Sequence, residues 1–203
     1  MKYSLRLRLF SRRLILVSPH LAEIFIPIQH LSNTEYHIMA QITFKGTTVN
    51  TSGSLPAIGS AAPDFSLVNT DLSTVTLADF AGKKVIINVF PSVDTGVCAQ
   101  QLKTFNEKFA NRDDVILLFV SLDLPFAFGR FCGAEGIENA VTTSDFRSQT
   151  FAEGYGVKLI DGPLAGLLTR AVIVLDESHT VTYSELVSEI TNEPNYDAAM
   201  AAL

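Results

Sequence analysis

Three short runs constrain this chain more than anything else in it: Val85-Ile86-Ile87-Asn88-Val89-Phe90, Val115-Ile116-Leu117-Leu118-Phe119-Val120 and Ala171-Val172-Ile173-Val174-Leu175. Each is apolar without strict alternation and rich in β-branched residues, the pattern of a central strand buried on both faces. A sheet of such strands needs cover above and below, which selects an α/β architecture. Between the first two runs, Cys98, Leu102, Phe105 and Phe109 fall at i, i+4, i+7 and i+11, one stripe of a helix. Lys103 and Glu107 lie on its other face at a supportive i, i+4 spacing.

The flanking sequence completes the order. Ile42 to Lys45 and Thr48 to Asn50 straddle Gly46 and read as a small β-hairpin. Residues 51–63, rich in Ser, Gly, Ala and Pro, read as a loop, and Asp64 to Val68 as a strand. Leu77 to Phe80 forms a helical turn stopped by Gly82. Asp176 to His179 turns into a more exposed strand at Thr180 to Tyr183, and Asn195 to Leu203 closes as a helix. A parallel βαβ unit, then a hairpin, then a helix is the order of a thioredoxin-like fold: a central mixed sheet flanked by helices, with an N-terminal β-hairpin. No repeat is visible.

Charge divides the chain. Five of its fifteen basic residues but only two of its twenty-one acidic ones precede Met39, which leaves the remainder at a net charge of −9. That remainder, residues 39–203, is the expected folded domain, and its acidity argues against nucleic acid as a partner. In residues 1–38 the run Leu14-Ile15-Leu16-Val17 follows a basic start but is cut by Ser18-Pro19-His20, too short for an export core of roughly 7 to 15 residues. No stretch of about 20 apolar residues exists to span a membrane. The expectation is a leader, disordered or lying upstream of a natural start at Met39, and a cytoplasmic protein; an export role for the leader would make it periplasmic.

Thr95-Gly96-Val97-Cys98 stands where a buried strand hands over to a helix. With Thr95 as N-cap, Cys98 falls in the first helical turn. There the positive end of the helix and free backbone N–H groups favour a thiolate, the nucleophilic form of cysteine. The competing reading is an inert cysteine on an apolar stripe, which helical position alone would favour.

The surrounding string decides between them. Pro91-Ser92-Val93-Asp94-Thr95-Gly96-Val97-Cys98 resembles the peroxiredoxin signature, and more narrowly that of the bacterial thiol peroxidases, atypical two-cysteine peroxiredoxins. The resemblance extends over Met39 to Leu203. It includes Asp123-Leu124-Pro125-Phe126-Ala127, Arg130-Phe131-Cys132-Gly133-Ala134-Glu135-Gly136 and Asp161-Gly162-Pro163-Leu164. By matched position it implies that Cys98 is the peroxidatic cysteine, that Thr95 bonds thiolate and peroxide, that Pro91 shields the sulfur, and that Arg170 faces it. A guanidinium fork suits that role better than an ammonium, since it can bond peroxide oxygens while stabilising the thiolate.

Cys132 is the only other cysteine, in a short helical segment after Phe126. From the residues alone it could be unpaired core, a metal ligand or half of a redox pair. A zinc site needs about four ligands, and after Met39 the only histidine is His179. No Cys-x-x-Cys exists, so a thioredoxin-type dithiol is disfavoured. The resemblance implies that Cys132 is the resolving cysteine, closing an intramolecular disulfide with Cys98 that thioredoxin reduces. It further implies hydrogen peroxide or alkyl hydroperoxides as substrate, a homodimer, and no cofactor or metal.

Overall fold

A computed structural model describes residues 39–109 and 112–203; residues 1–38, expected to be a leader, lie outside it. Among the described residues nine strands are present: β1 Gln41–Phe44, β2 Thr47–Asn50, β3 Ser66–Asn69, β4 Thr74–Thr76, β5 Lys84–Val89, β6 Val115–Ser121, β7 Val141–Ser144, β8 Ala171–Leu175 and β9 Val181–Leu186. The helices are α1 Gly96–Phe109, α2 Pro125–Glu135, α3 Thr150–Gly154 and α4 Tyr196–Ala201, with a 3-10 turn at Leu77–Phe80. Seven strands form one mixed sheet in the order β4-β3-β7-β6-β5-β8-β9. The three apolar runs are its centre: β5 pairs parallel to β6 and antiparallel to β8. A parallel pair needs a crossover, which α1 supplies.

Alternation along these strands sorts their side chains into two cores. Val85, Ile87 and Val89, with Leu118, Val120, Ala171 and Ile173, pack beneath the sheet with Phe151 and Tyr155. Ile86 and Phe90, with Leu117, Phe119, Val172 and Val174, pack against α1 through Cys98, Leu102 and Phe105. The period of two therefore puts Arg170, one residue before Ala171, on the α1 side. It also puts Asn88 there, midway between Ile86 and Phe90.

The hairpin β1–β2 forms its own sheet, with Phe44 opposite Thr47. Its two-residue turn has φ 51° at Lys45 and 77° at Gly46, the paired positive angles that suit the twist of a tight hairpin. Glu189 clamps it: the carboxylate accepts from Lys45 N at 3.0 Å, Gly46 N at 3.0 Å and Thr43 Oγ1 at 2.8 Å. The Gly46 N–H leads the donors that hold this carboxyl well below the usual range. On the other strand Asp161 accepts from Asn50 N at 2.7 Å and Asn50 Nδ2 at 2.6 Å.

Several local expectations shift. Lys103 pairs with Glu135 of α2 at 2.6 Å rather than with Glu107 of its own helix, and it lies over the Phe131 ring. The pair therefore ties α1 to α2 across their packing interface. Strands β4 and β7 and helix α3 were not expected from the sequence.

Candidate active site

The chain leaves β5 at Val89, turns through Pro91 to Thr95 and enters α1. The Thr95 carbonyl accepts the first helical bond from Ala99 N at 2.9 Å, so Cys98 lies in the first turn, fully buried. The Thr95 hydroxyl sits 2.8 Å from Cys98 Sγ and 3.1 Å from the Ser92 carbonyl. A hydroxyl has one proton to give. When the sulfur is a thiol, its S–H can donate to Thr95 Oγ1 while that hydroxyl donates to Ser92 O. When it is a thiolate, the hydroxyl turns to the sulfur. The geometry accommodates both protonation states without moving a heavy atom.

Arg170 arrives from the other side. Its Nη2 donates to Cys98 Sγ at 3.4 Å, its Nε to the Ile190 carbonyl at 2.8 Å, and its Nη1 to Gln101 Oε1. The residue is only 2 % exposed. Among the described residues no carboxylate ion-pairs with it. A buried unpaired cation is costly, and the group placed to balance it is the sulfur. This is a pocket shaped for negative charge at Cys98.

Two polar partners went unread in the sequence. Gln101, fully buried on α1, accepts from Arg170, and its Nε2 faces Asn88 Oδ1 at 3.5 Å. The available signal was phase: Gln101 follows Cys98 by three residues, on the buried stripe, and Asn88 interrupts an apolar run. A third is Asp123, whose carboxylate accepts from Ser92 Oγ at 2.8 Å and Val93 N at 2.7 Å.

A cleft of about 210 Å³ is lined at one end by Pro91, Thr95 and Arg170, of which Thr95 and Arg170 touch the sulfur. Its far walls are apolar: Phe44 from the hairpin, Leu164 and Leu167, and Ile190. The two carboxylate clamps on the hairpin thus shape this cleft, since Glu189 adjoins Ile190 and Asp161 begins the loop that carries Leu164.

The structure gathers Cys98, Thr95, Arg170 and Pro91 into this one site. Cys132 lies elsewhere, in the last turn of α2, half-buried against the same apolar cluster as Cys98. Both cysteines are free. Burial pushes the Cys132 thiol above its ordinary value, partly offset by a hydrogen bond with Thr142. Exposed Arg130, two residues before Cys132, ion-pairs with Asp94 of the loop that leads to Cys98. Among the described residues no three His, Cys, Asp or Glu side chains gather as a metal site, and no helix is long and apolar enough to cross a membrane.

Comparison with known proteins agrees with this chemistry. The redoxin family profile matches residues 57–200. A thiol peroxidase of Corynebacterium glutamicum is 53 % identical over 165 residues, covering 81 % of this chain and 99 % of the relative. One of Mycobacterium tuberculosis is 54 % identical over the same coverage. A solved peroxiredoxin-like protein from Aquifex aeolicus, 38 % identical, superposes with a TM-score of 0.76 over 81 % of this chain and 99 % of its own. Relatives of that identity, along nearly their whole length, place the chain in the redoxin family as a thiol peroxidase of the peroxiredoxin group.

Proposed function

We propose that this thiol peroxidase reduces hydrogen peroxide and organic hydroperoxides through a sulfenic acid at Cys98, a disulfide between Cys98 and Cys132, and re-reduction by thioredoxin. The observation that carries the reading is the position of Cys98 Sγ, 2.8 Å from the Thr95 hydroxyl and 3.4 Å from Arg170 Nη2.

In the first step the Cys98 thiolate attacks the terminal oxygen of ROOH. An S–O bond forms, the O–O bond breaks, and RO⁻ leaves to take up a proton as ROH. Charge moves from sulfur to the departing oxygen, and the Arg170 fork and Thr95 hydroxyl are donors already aimed at that region. Pro91 covers the sulfur side of the cleft and limits water there. In the second step the Cys132 thiol condenses with the sulfenic acid, forming the disulfide and releasing water. In the third, an external dithiol gives up two electrons by exchange and leaves both cysteines as thiols. Neither metal nor organic cofactor takes part.

The apolar far walls of the cleft favour a hydroperoxide with a hydrocarbon tail over hydrogen peroxide. The tail would lie against Phe44 and Leu167 while its hydroperoxide end meets Arg170. The reading further takes the enzyme to be a homodimer, as its resemblance implies, and to be cytoplasmic, with the periplasm as the alternative should residues 1–38 act as an export signal. Stopped-flow reaction of the reduced protein with cumene hydroperoxide and with hydrogen peroxide tests the proposal. One equivalent of either should be consumed rapidly at Cys98, the organic peroxide faster. Slow reaction with both, alongside efficient reduction of insulin disulfides, would instead favour a protein-disulfide oxidoreductase.

A further inference from the structure

Asp123 ends the turn that follows β6, two residues before the Pro125 that starts α2. Its two oxygens collect three donors. Ser92 Oγ donates to Oδ1 at 2.8 Å; Val93 N and Ser121 Oγ donate to Oδ2 at 2.7 and 2.8 Å. Its own N–H donates to Ser121 Oγ at 3.0 Å. The Ser121 carbonyl is held in turn by Asp145 N at 2.9 Å. The carboxylate is therefore fixed to the rigid end of the sheet and reaches out to the loop that precedes Cys98.

What it grips there matters. The Ser92 carbonyl accepts from both Thr95 N and Thr95 Oγ1, each at 3.1 Å, and Thr95 Oγ1 touches the sulfur. The chain of contacts runs Asp123, Ser92, Thr95, Cys98. Without the Asp123 anchor, Ser92 and Val93 are held by the packing of the Val93 side chain and by the turn itself. The Thr95 hydroxyl would then sample positions off the sulfur. Charge-assisted bonds of this kind are the shorter and stronger ones.

We propose that Asp123 is a positioning residue for the peroxidase reaction: through Ser92 it holds the Thr95 hydroxyl against Cys98, and it fixes that loop to the base of the helix carrying Cys132. This rests on Cys98 being the reacting sulfur. A carboxylate suits the task because every group it meets is a donor. In Asp123→Asn the amide oxygen must face Val93 N, which can only donate. The NH₂ then faces Ser92 Oγ, which already receives Asp94 N at 3.2 Å and loses the acceptor for its own proton.

The test is a cycle of four proteins, wild type, Asp123→Asn, Thr95→Val and the double variant, each checked for folding by near-UV circular dichroism. Two rates are followed across pH to their high-pH plateaus, where the sulfur is thiolate in every protein: reaction with cumene hydroperoxide, and alkylation of Cys98 by iodoacetamide, which does not need a placed peroxide. Asp123→Asn should slow the peroxide reaction about tenfold, the loss expected for one charge-assisted hydrogen bond, and alkylation less than twofold. In the Thr95→Val background it should add nothing. Equal slowing of both rates, or effects that multiply in the double variant, would overturn the proposal. Should Asp123→Asn fail to fold, Ser92→Ala takes its place in the same cycle, and the same results support or overturn the proposal. Absence of peroxide reactivity at Cys98 in the wild type would instead refute the functional reading, a separate result.

Discussion

The first turn of α1, helix α2 or both have to open if Cys132 is to bond Cys98, because packed helices run about 8 to 10 Å apart while a disulfide needs Cα atoms within about 7 Å, and α2 is the cheaper of the two to open. Two glycines make that helix easy to open. Gly129 and Gly133 lie in its interior and are exposed, and a Cβ built on either meets nothing within 4 Å. Replacing each by Ala should stabilise the helical state by roughly 0.5 to 1 kcal/mol, mostly by removing freedom from the unwound state. The helix ends on Gly136, whose φ is 65°, with Gly136 N and Ile137 N both donating to the Cys132 carbonyl. Cys132 is thus in the last turn, and opening from that end frees it first. If only that turn unwinds, Gly133→Ala alone should slow disulfide formation about two- to fivefold and Gly129→Ala should do nothing; if the whole helix unwinds, the double variant should slow it about five- to thirtyfold. The assay is single-turnover stopped flow, following peroxide consumption and then disulfide formation. The first phase should be unchanged. A raised melting temperature with an unchanged second phase in both variants would refute the idea that α2 is the element that unwinds.

Arg170→Ala should slow the reaction of Cys98 with peroxide about ten- to a hundredfold, as expected from losing about 1.5 to 3 kcal/mol in a charge-assisted bond. Arg170→Lys should recover only part of it, because the fork to Sγ, Gln101 and Ile190 is gone; stopped flow checks both, and an unchanged rate in Arg170→Ala would remove the residue from the site. Asp145, fully buried, accepts from Ala152 N at 2.8 Å, and burial pushes its carboxyl up to about 6. A folded value above the unfolded 3.8 means its stabilising contribution is full below about pH 4 and is lost as pH rises through about 6. Asp145→Asn, neutral throughout, should therefore gain on wild type by roughly 2 kcal/mol between pH 4 and pH 7.5 in urea unfolding; a pH-independent difference would contradict this.

The parts of the fold legible in the sequence are those where one local signal sufficed. The runs in β5, β6 and β8 could be read because burial on both faces leaves them almost wholly apolar. The first turn of α1 could be read because its stripe and Thr95 coincide. Strand β7 was missed because Thr142, Thr143 and Ser144 look like loop; they are buried only because the neighbouring strand satisfies them, as when Thr143 Oγ1 donates to the Phe119 carbonyl at 2.9 Å. Helix α3 has five residues and follows Gln149 at φ 55°, too short for a period and with no capping side chain to announce it. At the site, the resemblance carried by the string around Cys98 pointed to Thr95, Pro91 and Arg170; position alone would have read Arg170 as a surface charge at the start of a strand. Gln101, Asn88 and Asp123 matter through partners 13 to 69 residues away, and such meetings exist only once the sheet is assembled.

The central claim is that Cys98 takes the oxygen and Cys132 resolves it. The most direct measurement is mass spectrometry of the reduced protein, and of Cys98→Ser and Cys132→Ser, after one equivalent of cumene hydroperoxide. Wild type should carry a Cys98–Cys132 disulfide within the molecule. Cys132→Ser should carry one added oxygen on Cys98 and over-oxidise with further peroxide. Cys98→Ser should remain a free thiol at Cys132. Oxygen on Cys132 in the Cys98→Ser protein at the wild-type rate, or a wild-type protein left fully reduced, would contradict the account.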